Sequence, residues 1–463
     1  MQISPPAAVL EIARKLNHAG HDVWAVGGAV RDALIGLPPG DWDLATSARP
    51  EDVRRIFRRT VPVGIEHGTM GVVAQDGVMY EVTTFRRDVE TFGRHAVVEF
   101  AQTINEDLAR RDFTFNAIAW HPIHDELRDP YGGLDDLKSA TLRTVGEPAD
   151  RFAEDYLRVL RALRFAGHFV LVIEPATWDA LRAAVPHLTT LSAERVREEL
   201  YKVLDRTQHA SAALRLYAAS GVLREIYPEL HALADMQLPP AVMEAHDARP
   251  SGTQADQDDA WLRSLRAVDA LPSSRLLLRV TALLHAVGMP AARARDLRGG
   301  FRYTGHERVG ALKAEEMMRR LKASNADTEH VATLVAKQSD LFPPDAPDAG
   351  VRRWLLHVPP HLVNDFFRLR VALWRSHPVA GGDRDLLERW RHVRQVLAAR
   401  PALTTSDLRI DGRDLKALGL APGPQFGEVL RALLDRVIED PTLNEHDTLI
   451  AMTREITGEE SAP

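Results

Sequence analysis

The hydrophobic pattern changes its period near Asp150, and that change constrains the fold more than any other feature. Ahead of it, apolar residues at helical spacing in Ala7 to Leu16 give way to short runs rich in β-branched and aromatic residues at Val23 to Val26, Gly71 to Ala74 and Val78 to Phe85. Beyond it, Asp155 to Ala166, Glu194 to Asp205, Ala210 to Ser220, Leu276 to His285 and Val309 to Lys322 are long runs of good helix formers. The expectation is an α+β chain, an N-terminal mixed-sheet domain followed by an all-α body. Its 463 residues exceed one ordinary domain, and we expect segments at 1–150, 151–230, 231–400 and 401–463. Ala245 to Asp259 and the Pro-rich Leu341 to Gly350 read as loops or linkers, and Gly419 to Pro424 introduces a final helix. No repeat of fixed period supports a solenoid.

Composition narrows the functional classes. Lys plus Arg number 58 against 65 Asp plus Glu, a net charge of −7, so no global positive field advertises a nucleic-acid partner and any grip on RNA has to be local. The chain has no Cys, which excludes disulfides, thiolate zinc, iron–sulfur clusters and a Cys nucleophile, and fits an intracellular, cytoplasmic address. Met1 to Val9 lacks the basic start and apolar core of a signal peptide. Leu276 to Leu284 is too short to span a bilayer and is broken by Arg279, so no membrane is expected.

Chemistry concentrates in carboxylates near the N-terminus. In Asp41-Trp42-Asp43 the two-residue spacing puts both carboxylates on one face of a strand, and a pair of hard oxygen ligands suits Mg²⁺. Just ahead, Gly27-Gly28 lets backbone N–H groups approach phosphate oxygens, and Arg31 adds a clamp for the same phosphates. Pro38-Pro39-Gly40-Asp41 reads equally as a plain surface turn. Glu81 interrupts the strand-like Val78 to Phe85, so it faces either solvent or a site, where it would supply a third carboxylate from a neighbouring strand. Arg110 and Arg111, within Asp107 to Asn116, suit bidentate phosphate binding, although Arg beside Asp is equally the pattern of an internal ion pair.

Together these elements resemble the class II, bacterial-type tRNA nucleotidyltransferases, the CCA-adding enzymes, and the related bacterial poly(A) polymerases, all within the polymerase-β-like nucleotidyltransferases. The resemblance rests on Gly27-Gly28-Ala29-Val30-Arg31-Asp32 with Asp41-Trp42-Asp43, on Arg110 to Asn116, on the stretch from Glu154 to Phe165, and on Ser192 to Leu200, in that order. It covers about residues 20–205 strongly and continues more weakly to the end, where Asp407 to Arg436 looks like the C-terminal region of the bacterial enzymes. It implies a polymerase-β-like nucleotidyltransferase head, a helical neck that recognises the base, a helical body and a C-terminal helical tRNA-binding tail. It further implies that Asp41 and Asp43 hold catalytic Mg²⁺ with Glu81 in support, and that Gly28, Arg31 and Arg111 contact the incoming nucleotide. The implied partners are the tRNA 3′ end, CTP and ATP. Thr60-Val61-Pro62-Val63-Gly64 followed by His67-Gly68-Thr69 looks like the tRNA-maturing branch. An enzyme adding only the terminal A is the alternative, because the loop from Arg86 to Glu99, part of which CC-only relatives lack, is present; poly(A) polymerase comes third.

On a helix, Asp155 and Arg158 would be neighbours three apart and could pre-order each other as an ion pair. An acceptor beside a donor complements cytosine and adenine, whose amino group sits beside a ring-nitrogen acceptor, whereas uracil and guanine invert that order. A solvated helix with ion pairs is the plainer reading of these residues alone. The resemblance gives the template role to Asp155 and Arg158, with Arg161 and Arg164 on the nucleotide side. In the body, Leu277 to Pro290 with Tyr303 to Glu307 resembles the metal-dependent HD phosphohydrolase domain. His285-Ala286 stands where that family has His-Asp, and Gln338 where a later His is expected. A degenerate HD-like region without hydrolase activity is the expectation.

Overall fold

The computed structural model describes residues 3–65, 68–92, 95–236, 260–295, 301–376 and 382–458. The chain divides into two compact units, residues 1–231 with 320–322 and residues 232–319 with 323–463. The first opens on α1 (Ala7–His18), β1 (Val23–Val26), α2 (Gly28–Leu34), β2 (Asp43–Thr46) and α3 (Pro50–Ile56). Strands β3 (Thr60–Gly64), β4 (Thr69–Val73) and β5 (Met79–Thr84) follow, then β6 (Arg86–Phe92) and β7 (His95–Phe100). The segment expected as a loop from Arg86 to Glu99 is therefore an antiparallel strand pair, Arg86 opposite Phe100. Its two strands pair with each other and form a sheet separate from the seven-stranded one. His67 lies outside the described residues.

After α4 (Ile104–Ala109), β8 (Ala119–His121) and β9 (Glu126–Arg128) complete a seven-stranded sheet of order β3-β4-β5-β2-β1-β8-β9. Its central pairing of β2 with β5 is parallel, and its other neighbours are antiparallel. All four residues of β1 are buried, which is why this run lacks the apolar–polar alternation of a half-exposed strand. Val23 and Ala25 join a core with Leu16, Val53 and Val82, while Trp24 and Val26 join a second core with Ala45, Phe85 and Leu108.

Helices then take over: α5 (Gly133–Lys138), α6 (Pro148–Glu154), α7 (Leu157–Phe169), α8 (Pro175–Ala184), α9 (Ala193–Asp205) and α10 (Ser211–Ser220). The run expected to be one helix from Asp155 begins later. Asp155 is extended (φ −155°, ψ 105°), and the Leu157 N–H donates to its Oδ1 at 3.0 Å. This local bond is the one by which Asp leaves one helix and starts the next. Stacked and edge-to-face contacts among Phe113, Phe115, Phe165 and Phe169 fasten α7 to the segment after α4, with Phe115 and Phe165 ring centres 5.6 Å apart.

The second unit is helical, with Ala260–Asp269, Leu276–Leu284, His306–Arg320, Asn325–Lys337, Asp348–Leu355, Val363–Ser376 and Gly382–Ala398. It is not all-α. Ala294–Arg295 and Phe301–Arg302 form a short antiparallel pair. Toward the end, Gly412–Ala417, Pro424–Glu439 and His446–Thr457 share a core on Leu415, Leu433, Val437 and Leu449. The helix at Pro424 is thus penultimate, where the sequence reading made it final. Ala245 to Asp259 lies outside the described residues. No described helix is long and apolar enough to cross a membrane.

Candidate active site

Asp43 begins β2 opposite Val26, the last residue of β1, so the chain turns through Gly27 beside its carboxylate. Gly27 has φ 76°, a left-handed conformation that favours glycine, and a Cβ there would lie 3.5 Å from Arg111 Nη1 and 3.8 Å from Asp43 Oδ2. Leu44 pairs in parallel with Val82. The preceding residues, Asp43 and Glu81, are consequently neighbours on one sheet face by strand alternation, while Tyr80 and Val82 enter the core. Asp41 departs from the expected geometry: it lies in the turn ahead of β2 instead of on the strand with Asp43. Buried Trp42, tilted against Trp120 with ring centres 6.3 Å apart, anchors that turn.

Burial pushes the Asp43 carboxyl up to about 6, with Glu81 and Asp41 adding repulsion and Arg111 opposing it. Among the described residues no group of three His, Cys, Asp or Glu is drawn together tightly enough to hold a metal ion by itself. The acidic trio is instead a set of hard oxygen donors whose repulsion on Asp43 is offset only in part by Arg111, and a divalent cation bound with nucleotide phosphates as further ligands would relieve the rest. The residues present therefore fit such an ion.

Arg111 is oriented from α4, with Nη2 donating to buried Asp107 at 3.1 Å and Nη1 to the Asn116 carbonyl at 3.4 Å. Its Nε is buried and has no partner, a donor for which an anionic oxygen is the natural acceptor. Arg31 is more heavily committed. It is buried, donates to Asp32 at 2.9 Å and to Asn116 Oδ1 at 2.7 Å, and lies 4.5 Å from the centre of the Phe169 ring. A Cβ at Gly28 would lie 3.5 Å from Arg31 Nη2.

A cavity of about 620 Å³ gathers Gly28, Arg31, Asp43 and Arg111 from the sheet region. Asp155, Arg158 and Arg161 line it from the start of α7. Asp41 and Glu81 line an adjoining cavity of about 600 Å³ that shares Asp43. Arg164 is not among the residues lining either one. Its Nε donates to fully buried Glu199 at 2.7 Å, and its guanidinium covers Phe165 at 4.1 Å.

The expected Asp155–Arg158 side-chain pair is not formed, because the helix break separates the two residues. Asp155 Oδ2 accepts from Arg195 Nη2 of α9 at 2.7 Å. Arg158 pairs with Glu154 one turn back and donates to the Arg151 carbonyl at 2.9 Å and the Arg110 carbonyl at 3.2 Å. Arg195, which also lines the cavity, escaped the sequence reading. It lies within Ser192 to Leu200, but its pairing with Asp155 spans 40 residues and leaves no local periodic signal.

Arg161 Nε donates to buried Asp112 at 2.8 Å. Burial opposes ionisation of Asp112, yet Arg161, with Asn116 and the Phe113 N–H, holds its carboxyl down to about 2. Arg161→Met strands this charge. Chemical denaturation should show a loss of about 3 kcal/mol at pH 7. The contribution is present above the unfolded carboxyl value of about 4 and fades as pH falls through about 2, so the difference from the parent should shrink in acid.

The seven-stranded sheet thus brings Asp43 to a cavity lined by Arg31, Arg111, Arg158 and Arg161, with Asp41 and Glu81 around the cavity beside it. Residues 23–143 match the poly A polymerase head domain, and residues 171–233 the probable RNA and SrmB-binding site of polymerase A. The CCA-adding enzyme of Anoxybacillus flavithermus is 46% identical over 197 residues, which span 42% of this chain and 49% of that protein, about half its length. The CCA-adding enzyme of Limosilactobacillus fermentum is 30% identical over 98% of this chain and 99% of its own. Among solved structures, the Bacillus stearothermophilus CCA-adding enzyme in complex with CTP superposes with a TM-score of 0.71 at 28% identity, covering 98% of each chain. The chain belongs to the tRNA nucleotidyltransferase and poly(A) polymerase family, with CCA-adding enzymes as its full-length relatives. Enzymes of this family work with a divalent metal ion.

Proposed function

We propose that this protein adds CMP and AMP to the 3′ end of tRNA to complete CCA, choosing each nucleotide with its own side chains. The observation that carries this reading is the single cavity in which Asp43 and Arg111 face the same space as Asp155 and Arg158. Residues 1–150 act on the phosphates, 151–230 read the base, 231–400 form the supporting body and 401–463 hold the tRNA. Asp41 and Asp43 hold Mg²⁺, with Glu81 in support, and when bound the ion neutralises triphosphate charge and makes the 3′ hydroxyl a better nucleophile. Arg111 donates its unmet Nε hydrogen to a triphosphate oxygen, with Gly28 and Arg31 shaping the wall beside it. The 3′ hydroxyl attacks the α-phosphate and pyrophosphate leaves.

Asp155, held by Leu157 N–H and Arg195, accepts from the exocyclic amino group of cytosine or adenine. Arg158 donates to the neighbouring ring nitrogen. Arg161 steadies this wall through Asp112, and Arg164 supports it from behind through Glu199. The CTP-bound Bacillus stearothermophilus relative and the nearly end-to-end match with the Limosilactobacillus fermentum enzyme support the assignment. A tRNA transcript lacking CCA, incubated with Mg²⁺ and one nucleoside triphosphate at a time, should incorporate CTP. UTP and GTP should be rejected by roughly a hundredfold or more. Equal use of all four would refute a protein template.

A further inference from the structure

Arg31 comes to the nucleotide cavity from α2 and Arg161 from α7, and Asp112, Asn116 and Phe165 line the same cavity with them. Asn116 joins the two arginines. Its Oδ1 accepts from Arg31 Nη1 at 2.7 Å, and its Nδ2 donates to Asp112 Oδ1 at 3.0 Å. Asp112 Oδ2 in turn accepts from Arg161 Nε at 2.8 Å. The path Arg31–Asn116–Asp112–Arg161 is therefore unbroken, and Asn116 and Asp112 are buried along it. Phe165 closes the loop from the other side, with both guanidinium centres 5.4 Å from its ring centre. The Asn116 backbone takes a further part, because its carbonyl accepts from Arg111 Nη1 at 3.4 Å.

The chemistry of the two neighbours calls for a carboxamide at this position. Arg31 offers only donors. Asp112, its carboxyl held down to about 2, is ionised and offers only acceptors. A link between them needs an acceptor at one end and a donor at the other, and one orientation of the amide satisfies both. A carboxylate would keep the contact with Arg31 but set charge against charge at Asp112, and an alkyl group of the same size would keep neither. The backbone holds the link in place, since Thr114–Asn116 is a 3₁₀ turn whose Asn116 N–H donates to the Phe113 carbonyl at 3.0 Å. Buried networks of this kind respond to change as one body.

We propose that Asn116 is a positioning residue that couples the two ends of the nucleotide site, so that a base seated correctly against Asp155 and Arg158 also brings the α-phosphate into line through Arg161, Asp112, Asn116 and Arg31. The proposal rests on the nucleotidyl-transfer reading and deepens it. A wrong base is then penalised twice, once in binding and again in turnover, because a wall displaced at the base end carries the phosphate end out of line.

Steady-state extension of a tRNA transcript ending before CCA, with Mg²⁺ and either CTP or UTP, separates the two penalties. For the parent, UTP should be inferior to CTP in kcat as well as in KM. Asn116→Leu keeps the shape without the polar ends, and Asn116→Asp keeps the acceptor for Arg31 without the donor for Asp112. In both variants the kcat ratio of CTP to UTP should fall by about tenfold. The KM ratio should stay within about twofold of the parent, since Asp155 and Arg158 are untouched. A residue that only supported the fold would slow both nucleotides alike and leave both ratios unmoved. The proposal is overturned if the parent discriminates through KM alone, a result that needs no variant. It is also overturned if both variants keep the parental kcat ratio, or if Asn116→Asp matches the parent, which would confine Asn116 to holding Arg31. A parent that does not prefer CTP at all would instead remove the base-reading account itself, and the proposal with it.

Discussion

Asp43→Asn should reduce nucleotide incorporation by roughly a thousandfold or more while making the metal-free protein harder to melt above pH 6. Both effects have one cause. The carboxylate is held near burial, Glu81 and Asp41, so its native value of about 6 lies above the unfolded value of about 3.9. Between those values the folded protein binds more protons than the unfolded chain, so stability falls as pH rises through this window and stays lower beyond it. The loss is on the order of 2–3 kcal/mol, and Asn, isosteric and uncharged, removes it. Melting metal-free parent and variant at pH 5 and pH 8 should therefore show a gap favouring the variant that widens at the higher pH. Mg²⁺ added together with CTP should raise the melting temperature of the parent by more than that of the variant. A variant that melts below the parent at pH 8 would show that Asp43 is not a strained ligand.

Asp155→Asn should cost specificity more than binding. The carboxylate is acceptor-only and is held in place by the Leu157 N–H and by Arg195. A carboxamide offers donors at the same position, so uracil, which presents a carbonyl where cytosine presents an amino group, meets a partner instead of a mispaired acceptor. Preference for CTP over UTP, taken as the ratio of kcat/KM on a tRNA lacking CCA, should fall by roughly a hundredfold. An unchanged ratio would remove Asp155 from base choice. A matched loss on CTP and UTP would assign it to phosphate or tRNA placement.

Much of the first unit was legible because its chemistry is local. Gly27-Gly28 marks a turn whose left-handed backbone requires glycine at its first position, and the β-branched run around Glu81 identifies a strand adjoining the one that begins at Asp43. Strand alternation then carries Glu81 to the face of Asp43 without further information. Asp155 was misplaced for an equally local reason. Helical spacing from Glu154 to Phe165 is continuous as text, and periodicity contains no term for one Asp side chain capturing the N–H two residues on. The partner exchange that follows, Arg195 for Arg158, is set by the approach of α7 and α9, which no short-range pattern encodes. Arg31 and Arg164 show a related limit. Sequence identifies them as cations in the right neighbourhood, but only packing reveals that Arg31 is occupied by Asp32 and Asn116 and that Arg164 turns to Glu199. In the second unit, His285-Ala286 shows that a carboxylate is missing, while Arg263, Arg302 and Arg370, which line one cavity with His285, come from two helices and a short strand far apart in the chain and leave no local pattern.

The most direct test of the central claim is stage-resolved extension of three tRNA transcripts, ending before CCA, after the first C and after CC, with CTP, ATP and Mg²⁺ and with product 3′ ends sequenced. The account predicts that all three are brought to CCA and that growth then stops. Extension confined to the CC-ended transcript, or tails of many adenosines, would contradict it.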